Sequence, residues 1–178
     1  MIKDIAVHCE HGQIKMIWKW SNEDITKVRI LYKKKDSSEG DGTDFLSGEV
    51  MKVPHIEVGN VMKPLCGEQG LYTFTFLPYK KDGTLAEKVI VDDIMLGKRI
   101  EIIWNANEMK ECTIISFQMP EGYLPAGLLT VKRMNVKCEI CKEINSTTRL
   151  LFPGNIQSDR FELYIKAPYD KAYHLYQK

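Results

Sequence analysis

The sequence contains no long apolar run and no excess of charge of either sign. None of its 178 residues lies in a stretch that approaches the roughly 20 apolar residues of a bilayer-spanning helix, and the start Met1–Asp4 lacks the apolar core of a signal peptide. Lysine and arginine number 25 against 24 aspartate and glutamate. With no global field to attract a polyanion, we expect a soluble protein with neither a nucleic-acid nor a membrane partner.

The cysteines lack the spacing of a disulfide framework. They are five, an odd number, and are scattered along the chain at Cys9, Cys66, Cys112, Cys138 and Cys141. Such a set suits free thiols in a reducing compartment better than a disulfide scaffold. We therefore expect a cytoplasmic protein.

Motifs of catalysis and of phosphate binding are absent as well. There is no G-x-S-x-G elbow, and none of the four histidines adjoins a nucleophile in a recognisable motif. The glycine pair in Gly40-Asp41-Gly42 has acidic neighbours and no following helix whose N-terminus could hold an anion. The sequence predicts neither an enzyme nor a cofactor.

What the sequence does contain is apolar residues that alternate with polar ones at a period of two. The pattern is clearest in segments 13–20, 28–32 and 72–76, and it is typical of half-buried strands. Further short strands are predicted at 85–91, 99–104, 111–118, 128–132, 136–141, 149–152, 161–166 and 172–177, with glycine and proline turns between them. Since no ten-residue stretch shows helical periodicity with caps, the predicted class is all-β, a sandwich or barrel.

Short echoes between the two halves suggest a duplication. Ile14–Trp18 is echoed by Ile100–Trp104, and Asn22-Glu23 with segment 30–32 by Asn107-Glu108 with segment 115–117, at nearly constant offsets. Pro78-Tyr79 recurs as Pro168-Tyr169. These echoes predict two tandem β domains, 1–95 and 96–178, joined through Asp92–Gly97.

The first half resembles a fibronectin type III domain over roughly residues 1–92. The likeness is carried by the tryptophan-bearing strand at 13–20, a strand that ends in Tyr32, and segment 71–76 followed by Asp82-Gly83. In that family a tyrosine near the start of the penultimate strand is buried, and its hydroxyl bonds back to the preceding loop. Tyr72 has this position. The resemblance implies two tandem immunoglobulin-like (fibronectin type III-like) β-sandwiches that bind or space other molecules rather than catalyse.

The second half departs from this pattern. Phe161 occupies the position at which the fibronectin type III pattern has the tyrosine, so the hydroxyl contact is lost. More strands than that pattern contains are predicted after Leu128. We interpret this half as a diverged copy or as another immunoglobulin-like sandwich.

Two groups have the side-chain types of metal ligands. Cys138 and Cys141 can chelate a metal when a tight turn brings both sulfurs to one side, but no second pair follows, and on a strand they point to opposite faces. The cluster His8–His11 is split between faces in the same way. For the cysteine pair we favour one buried small apolar side chain and one incidental thiol, and for His8–His11 an exposed edge strand. We expect no bound metal.

Lysines form two runs, Lys33–Lys35 and Lys80-Lys81, which can lie side by side if the ends of the third and penultimate strands meet. Acidic residues adjoin both runs, and lysine commonly protects edge strands from unwanted pairing. Solvation is therefore the favoured interpretation.

Tyrosines are the strongest functional lead. Tyr79 and Tyr169 lie at predicted strand exits, and Tyr173 and Tyr176 add amphipathic rings near the end of the chain. Such rings suit a partner protein or a sugar face, and packing of the chain end against the sheet is the structural alternative. We predict a non-catalytic interaction or scaffold module that contacts a protein partner through these four residues. A carbohydrate-binding module with exposed rings and a small metal-dependent protein are the alternatives.

Overall fold

The computed structural model describes residues 1–21, 23–38, 40–120, 122–154, 157 and 160–178. These residues form β-strands, with a 3₁₀ turn at Tyr169–Lys171, and the all-β class is therefore confirmed. Within the described ranges, no helix has the length and apolarity needed to cross a bilayer. The sequence predictions at Asn22 and at the turn residues Glu121 and Asn155 lie outside them.

The chain divides into two compact units, Met1–Lys98 and Arg99–Lys178. In the first unit, one sheet has the order β1-β2-β6, and the other has the order β4-β3-β7-β8 with β5 also pairing with β3. The strands are β1 (Ile2–Glu10), β2 (Gln13–Trp20), β3 (Ile25–Lys34), β4 (Thr43–Asp44), β5 (Val50–Met51), β6 (Val58–Pro64), β7 (Gly70–Lys80) and β8 (Val89–Leu96).

Apolar side chains of both sheets form the core of the first unit. Ile14 and Met16 of β2 are fully buried in one cluster with Ile30 of β3 and with Phe74 and Phe76 of β7. These residues are the apolar half of the period-two pattern, so the alternation predicted the buried face correctly. Because a single core lies between two sheets, the unit is a β-sandwich.

The indole of Trp18 packs edge-on against the rings of Trp20 and Phe76, at centroid distances of 5.6 and 5.8 Å. Gly59 lies directly opposite Trp18 on the neighbouring strand β6. A Cβ atom at Gly59 would stand 2.2 Å from the indole. Only glycine therefore lets the large ring lie flat against β6.

The prediction that Asp92–Gly97 joins the two halves is wrong, because the first five residues of this segment belong to β8. This strand pairs with β7 as far as the Gly70–Leu96 pair, and Leu96 is fully buried. Two adjacent aspartates disfavour a strand, but their carboxylates have partners: Thr73 donates to Asp92, and Lys35 forms an ion pair with Asp93. Asp93 has a left-handed φ of 59° where the β7–β8 register shifts, as at a β-bulge.

The second unit also consists of two sheets, with orders β13-β10-β9-β15 and β12-β11-β14. Its last strand runs parallel to β9, whereas the other pairs are antiparallel. The strands are β9 (Ile100–Glu108), β10 (Cys112–Gln118), β11 (Leu129–Arg133), β12 (Val136–Ile140), β13 (Arg149–Pro153), β14 (Phe161–Ile165) and β15 (Tyr173–Gln177).

A separate apolar cluster fills the second unit. Ile102, Ile115 and Phe117 from one sheet meet Val131 and Phe161 from the other, and all five are at most 2% exposed. This unit is therefore a sandwich with its own core.

The sequence echoes fall on strands that are not equivalent in the two units. Ile14–Trp18 lies in β2, which pairs with β1 and β6, whereas Ile100–Trp104 lies in β9, which pairs with β10 and β15. The second echo involves segment 30–32, which lies in β3, in the sheet opposite β2. Its counterpart, segment 115–117, lies in β10, which is hydrogen-bonded to β9 in the same sheet. The order of strands within the sheets instead aligns β1-β2-β6 with β9-β10-β13, so β9 corresponds to β1 and β10 corresponds to β2. Tandem domains 1–95 and 96–178 remain a prediction that these two echoes do not support.

Candidate interaction surface

Tyr79 lies near the end of β7 and is half-buried. It faces Lys27 of β3, whose ammonium is 5.4 Å from the ring centroid. Arg29, on the same strand, is held by both oxygens of Asp44 at 2.6 and 2.8 Å. This hydrogen-bonded pairing raises the pKa of Arg29 and lowers the pKa of Asp44. One face of the Tyr79 ring is therefore already in contact with Lys27 of its own unit.

The other three predicted tyrosines lie in the second unit and differ in exposure. Tyr169 is half-buried in the 3₁₀ turn, and Tyr173 packs against the core with its hydroxyl donating to the carbonyl oxygen of Tyr123 at 3.2 Å. Tyr176 is exposed, with its ring centroid 4.2 Å from that of His174. The structure thus leaves Tyr176 most available, while Tyr173 is anchored as a packing residue.

Two exposed tyrosines were missed from the sequence. Tyr123 is 52% exposed and Tyr164 is 44% exposed, both more than Tyr176. Tyr164 was predictable, because Phe161, Leu163 and Ile165 alternate with it and point inward. Tyr123 lies outside the strands, so no periodicity marks its exposure.

A concavity of about 650 Å³ opens at one end of the first unit, beside the connection between β5 and β6. Trp20 at the end of β2 and Ile25 at the start of β3, both buried, form its apolar floor. The remaining lining residues are Ser21, Glu23, Thr26, Lys52, Pro54, His55, Ile56 and Glu57. Its size is that of a site for a small molecule or a peptide side chain.

Backbone hydrogen bonds tie both ends of this connection to the sandwich. The N–H of Lys52 donates to the carbonyl of Thr26 at 2.7 Å, and the N–H of Trp20 donates to the carbonyl of Glu57 at 2.8 Å. Between them, Ile56 donates to Val53 in a tight turn. The wall of the concavity is therefore fixed to the ends of β2 and β3.

Residues 51–58, which we call the apolar ledge, expose an unusual amount of apolar surface. Met51, Val53, Ile56 and Val58 are 61%, 54%, 48% and 41% exposed. Lys52 and Glu57 supply charge of both signs at the rim. Exposed apolar residues beside a concavity with a polar rim are typical of interaction sites. The sequence signal was Pro54, which interrupts strand pairing and leaves the flanking apolar residues in a loop.

The other end of the first unit holds a nearly buried carboxylate, Glu68. It accepts hydrogen bonds from the Cys66 N–H at 2.6 Å and from the Tyr32 hydroxyl at 3.4 Å, and the Lys63 ammonium lies 3.9 Å away. Burial pushes the pKa of Glu68 upward, but backbone N–H groups, Lys63 and Tyr32 together lower it below its ordinary value of 4.5. Glu68 therefore stays ionised and links the loop to β3 and β6.

Tyr72 stacks on Tyr32 beside this carboxylate, at a centroid distance of 5.8 Å. Burial, and next the charge of Glu68, raise the pKa of both hydroxyls. A backbone hydrogen bond from Gln69, three residues upstream, acts in the opposite direction on the pKa of Tyr72. Tyr72 is half-buried next to the loop before β7, and its assignment as the buried tyrosine of the fibronectin type III pattern stays a prediction.

Cys138 and Cys141 are both exposed, so the interpretation of one as a buried side chain is wrong. β12 ends at Ile140, and the chain then turns, so both Sγ atoms lie 3.8 Å from the carbonyl oxygen of Glu139. The prediction that they point apart on a strand fails because Cys141 lies beyond it. Among the described residues, no group of three or more histidine, cysteine or acidic side chains is arranged to hold a metal.

His8–His11 lies at the β1–β2 hairpin. His8 and Glu10 are exposed, and Cys9 between them packs partly against the core. The predicted split between His8 and Glu10 on one face and Cys9 on the other is therefore present, whereas His11 is exposed in the turn after β1 and does not share the face of Cys9.

The two lysine runs do not meet. Lys34 pairs with Tyr72 at the start of β7, whereas Lys80 pairs with Ile25 at the other end of the antiparallel β3–β7 pair. The alternative of a shared basic patch is therefore excluded, because antiparallel pairing separates the C-terminal ends of the two strands.

All three tryptophans, Trp18, Trp20 and Trp104, are buried, at 0%, 8% and 5% exposure. None of them offers a flat platform to a sugar ring. The carbohydrate-binding alternative would thus depend on tyrosines alone.

Comparison with known proteins assigns no family to the chain. No protein-family model matches it, and no curated protein matches it. The structure titled "Crystal structure of CBD12 from CALX1.2" is similar with 10% sequence identity and a TM-score of 0.29. The match covers 89% of this chain and 70% of that chain.

Proposed function

We propose that this chain is a non-catalytic protein-interaction module whose first unit is a fibronectin type III-like sandwich. Support for the sandwich type comes from the three-stranded sheet β1-β2-β6 that faces β4-β3-β7-β8 and from the buried Trp18 on β2. Sandwiches of this kind present loops and strand edges to partners.

The observation that carries the binding proposal is the apolar ledge beside the concavity. A partner side chain that enters the concavity would cover Ile56 and would contact the floor at Trp20, while the exposed Val53 lies on the ledge beside it. Burial of such side chains is the main source of affinity in small interfaces, and the charged rim sets specificity. We therefore place the principal contact here, with Tyr79, Tyr169, Tyr173 and Tyr176 as the further contacts predicted from the sequence.

Affinity capture from an extract of the source cell, followed by mass spectrometry, tests this proposal. Val53→Ser and Ile56→Ser change exposed side chains, so both variants are expected to keep the wild-type unfolding temperature and to lose a specific partner. Ile90→Ser is the matched control, because Ile90 is 50% exposed on β8, an outer strand of the sheet β4-β3-β7-β8. Equal capture by the wild type and all three variants would refute the ledge as the contact.

The tyrosine contacts are tested by two variants in the same capture. Tyr176→Ala removes an exposed ring, whereas Tyr173→Phe keeps the packed ring and removes only its hydroxyl. We expect Tyr176→Ala to weaken capture and Tyr173→Phe to leave it unchanged. Full capture by Tyr176→Ala would remove that residue from the contact surface.

A further inference from the structure

We propose that β12 of the second unit pairs with β12 of a second copy of this chain, antiparallel and centred on Cys138, in a two-fold symmetric dimer. β12 is the outer strand of the sheet β12-β11-β14, and its first four residues are all exposed, with Val136 at 68%. In the part of the chain that the structure describes, no strand pairs with its outer side. Such an edge presents backbone groups that accept another strand.

The hairpin register determines which backbone groups are free. Met134 and Asn135 form a two-residue turn, so the flanking residues Arg133 and Val136 exchange hydrogen bonds. Hydrogen-bonded and non-hydrogen-bonded pairs alternate along an antiparallel ladder. Every second residue from Val136 therefore bonds toward β11, and the backbone groups of Lys137 and Glu139 point outward.

Among the described residues, the carbonyl oxygen of Glu139 has only weak contacts, because the thiol Sγ atoms of Cys138 and Cys141 lie 3.8 Å from it, at the weak end of hydrogen-bonding distance.

The side chains of β12 make this edge complementary to itself. In an antiparallel pair centred on Cys138, Lys137 lies opposite Glu139 of the second copy, and Glu139 lies opposite Lys137. These are the two residues whose backbone groups point outward, so the same pairing satisfies the backbone and joins opposite charges twice. Neither side chain forms an ion pair with another described residue. Directly opposite charges on neighbouring strands are favourable, and a two-fold axis requires this reciprocity.

The neighbouring edge strands of this unit lack the pattern. β13, β14 and β15 do not alternate lysine with glutamate. An isolated edge lysine discourages pairing. Because Glu139 lies two positions after Lys137, a second copy in this register places a glutamate opposite each lysine, and pairing is favoured with that partner.

Sedimentation of the intact chain, from about 10 to about 500 µM, tests the dimer, which we expect to be weak because the paired strand has five residues. Lys137→Glu and Glu139→Lys each place like charges opposite each other twice. Each variant alone is expected to weaken association about tenfold or more. The double variant Lys137→Glu/Glu139→Lys restores the complementarity, and an equal mixture of the two single variants is expected to associate.

Monomeric wild type over this concentration range would overturn the proposal. A dimer that is indifferent to both single variants, or a double variant that stays monomeric while folded, would overturn it as well. Circular dichroism of each variant separates loss of pairing from loss of folding.

The register has a second test in Cys138. Opposed residues in a non-hydrogen-bonded pair have Cα atoms about 4.5 Å apart, within disulfide range. Diamide oxidises two thiols to a disulfide and takes up the two protons and two electrons that they release. We expect it to cross-link a variant that keeps Cys138 as its only cysteine into a covalent dimer. A chain that keeps only Cys66, an exposed thiol of the first unit, is the control. Equal cross-linking of both chains would contradict the register.

Discussion

At the scale of single residues, the first sandwich contains a close contact between a tryptophan ring and a glycine. Trp18 is fully buried, and the strand opposite has Gly59 at the paired position. Any side chain at that position would occupy the space of the indole. The Trp18 Nε1 is buried and has no hydrogen-bond partner among the described residues, so apolar contact holds the ring in place.

We expect Gly59→Ala to destabilise the protein by about 3 kcal/mol, the upper end of the usual cost of overpacking. The added Cβ would be 2.2 Å from the indole, so the ring or the strand must shift. Gly48→Ala is the matched control, since a Cβ there meets no atom within 4 Å. Urea unfolding of both variants measures the difference. Equal stability of the two variants would show that Trp18 does not lie against Gly59.

Glu68 makes stability depend on acid. Its pKa is lowered in the folded state, so its contribution is present above the unfolded value of 4.5 and is lost as pH falls through the lower folded value. Unfolding free energies measured between pH 7 and pH 3 should therefore fall less steeply for Glu68→Gln than for the wild type. The substitution itself is expected to cost about 1 kcal/mol at pH 7. Glu87→Gln, at an exposed site, should keep the wild-type pH profile; identical slopes for all three proteins would count against the contacts of Glu68.

At the scale of elements, β15 shows how a strand at the end of the chain is held. It pairs in parallel with β9, from Tyr173 opposite Ile100 to Gln177 opposite Trp104. Leu175 packs against the core, while Tyr176 is exposed. The strand thus has an inner and an outer face, and only the outer one is available to a partner.

The two faces of β15 predict different costs of truncation. Leu175→Ala removes half-buried methyl groups and should cost about 1 to 2 kcal/mol, less than a fully buried leucine. Tyr176→Ala should change stability by less than about 0.5 kcal/mol. Thermal and urea unfolding of both variants measure these costs. A larger loss for Tyr176→Ala would reverse the assigned faces.

Strands were predictable where alternation was strong, and they were missed where it was weak. Segment 13–20 alternates apolar and polar residues except at Ile17, and it matches β2 in full. β4 and β5 have two residues each, too short for any period to be read. In β6, Gly59 takes an inward position because it accommodates Trp18 of the neighbouring strand β2. With glycine in place of an apolar residue, the alternation of apolar and polar residues is lost in β6.

The candidate surface was less predictable than the strands. Tyr173 was chosen as an amphipathic ring, but the register of β15 turns it toward the core. The apolar ledge has no strand period, and its exposure follows from the fold of the connection around Pro54 and Ile56 rather than from a local pattern. Exposure of loop residues depends on contacts between distant segments, which a single sequence does not specify.

At the scale of the whole molecule, each unit has its own core between its own two sheets. The echoes that suggested two repeats do not lie on equivalent strands, yet two compact units are present, divided between Lys98 and Arg99. The reason is that strands of any sandwich share alternating apolar residues, so short matches arise without common position. Strand order, which depends on pairing between distant segments, is the stronger criterion.

Two units with separate cores should fold independently, and ¹H–¹⁵N correlation spectra of separately produced residues 1–98 and 99–178 test this most directly. We expect dispersed signals and cooperative thermal unfolding from each fragment. Residues 1–91, which lack the fully buried Leu96 and most of β8, should instead give an unfolded spectrum. An unfolded spectrum from residues 1–98 or from residues 99–178, beside a folded full chain, would contradict the account of two self-contained sandwiches.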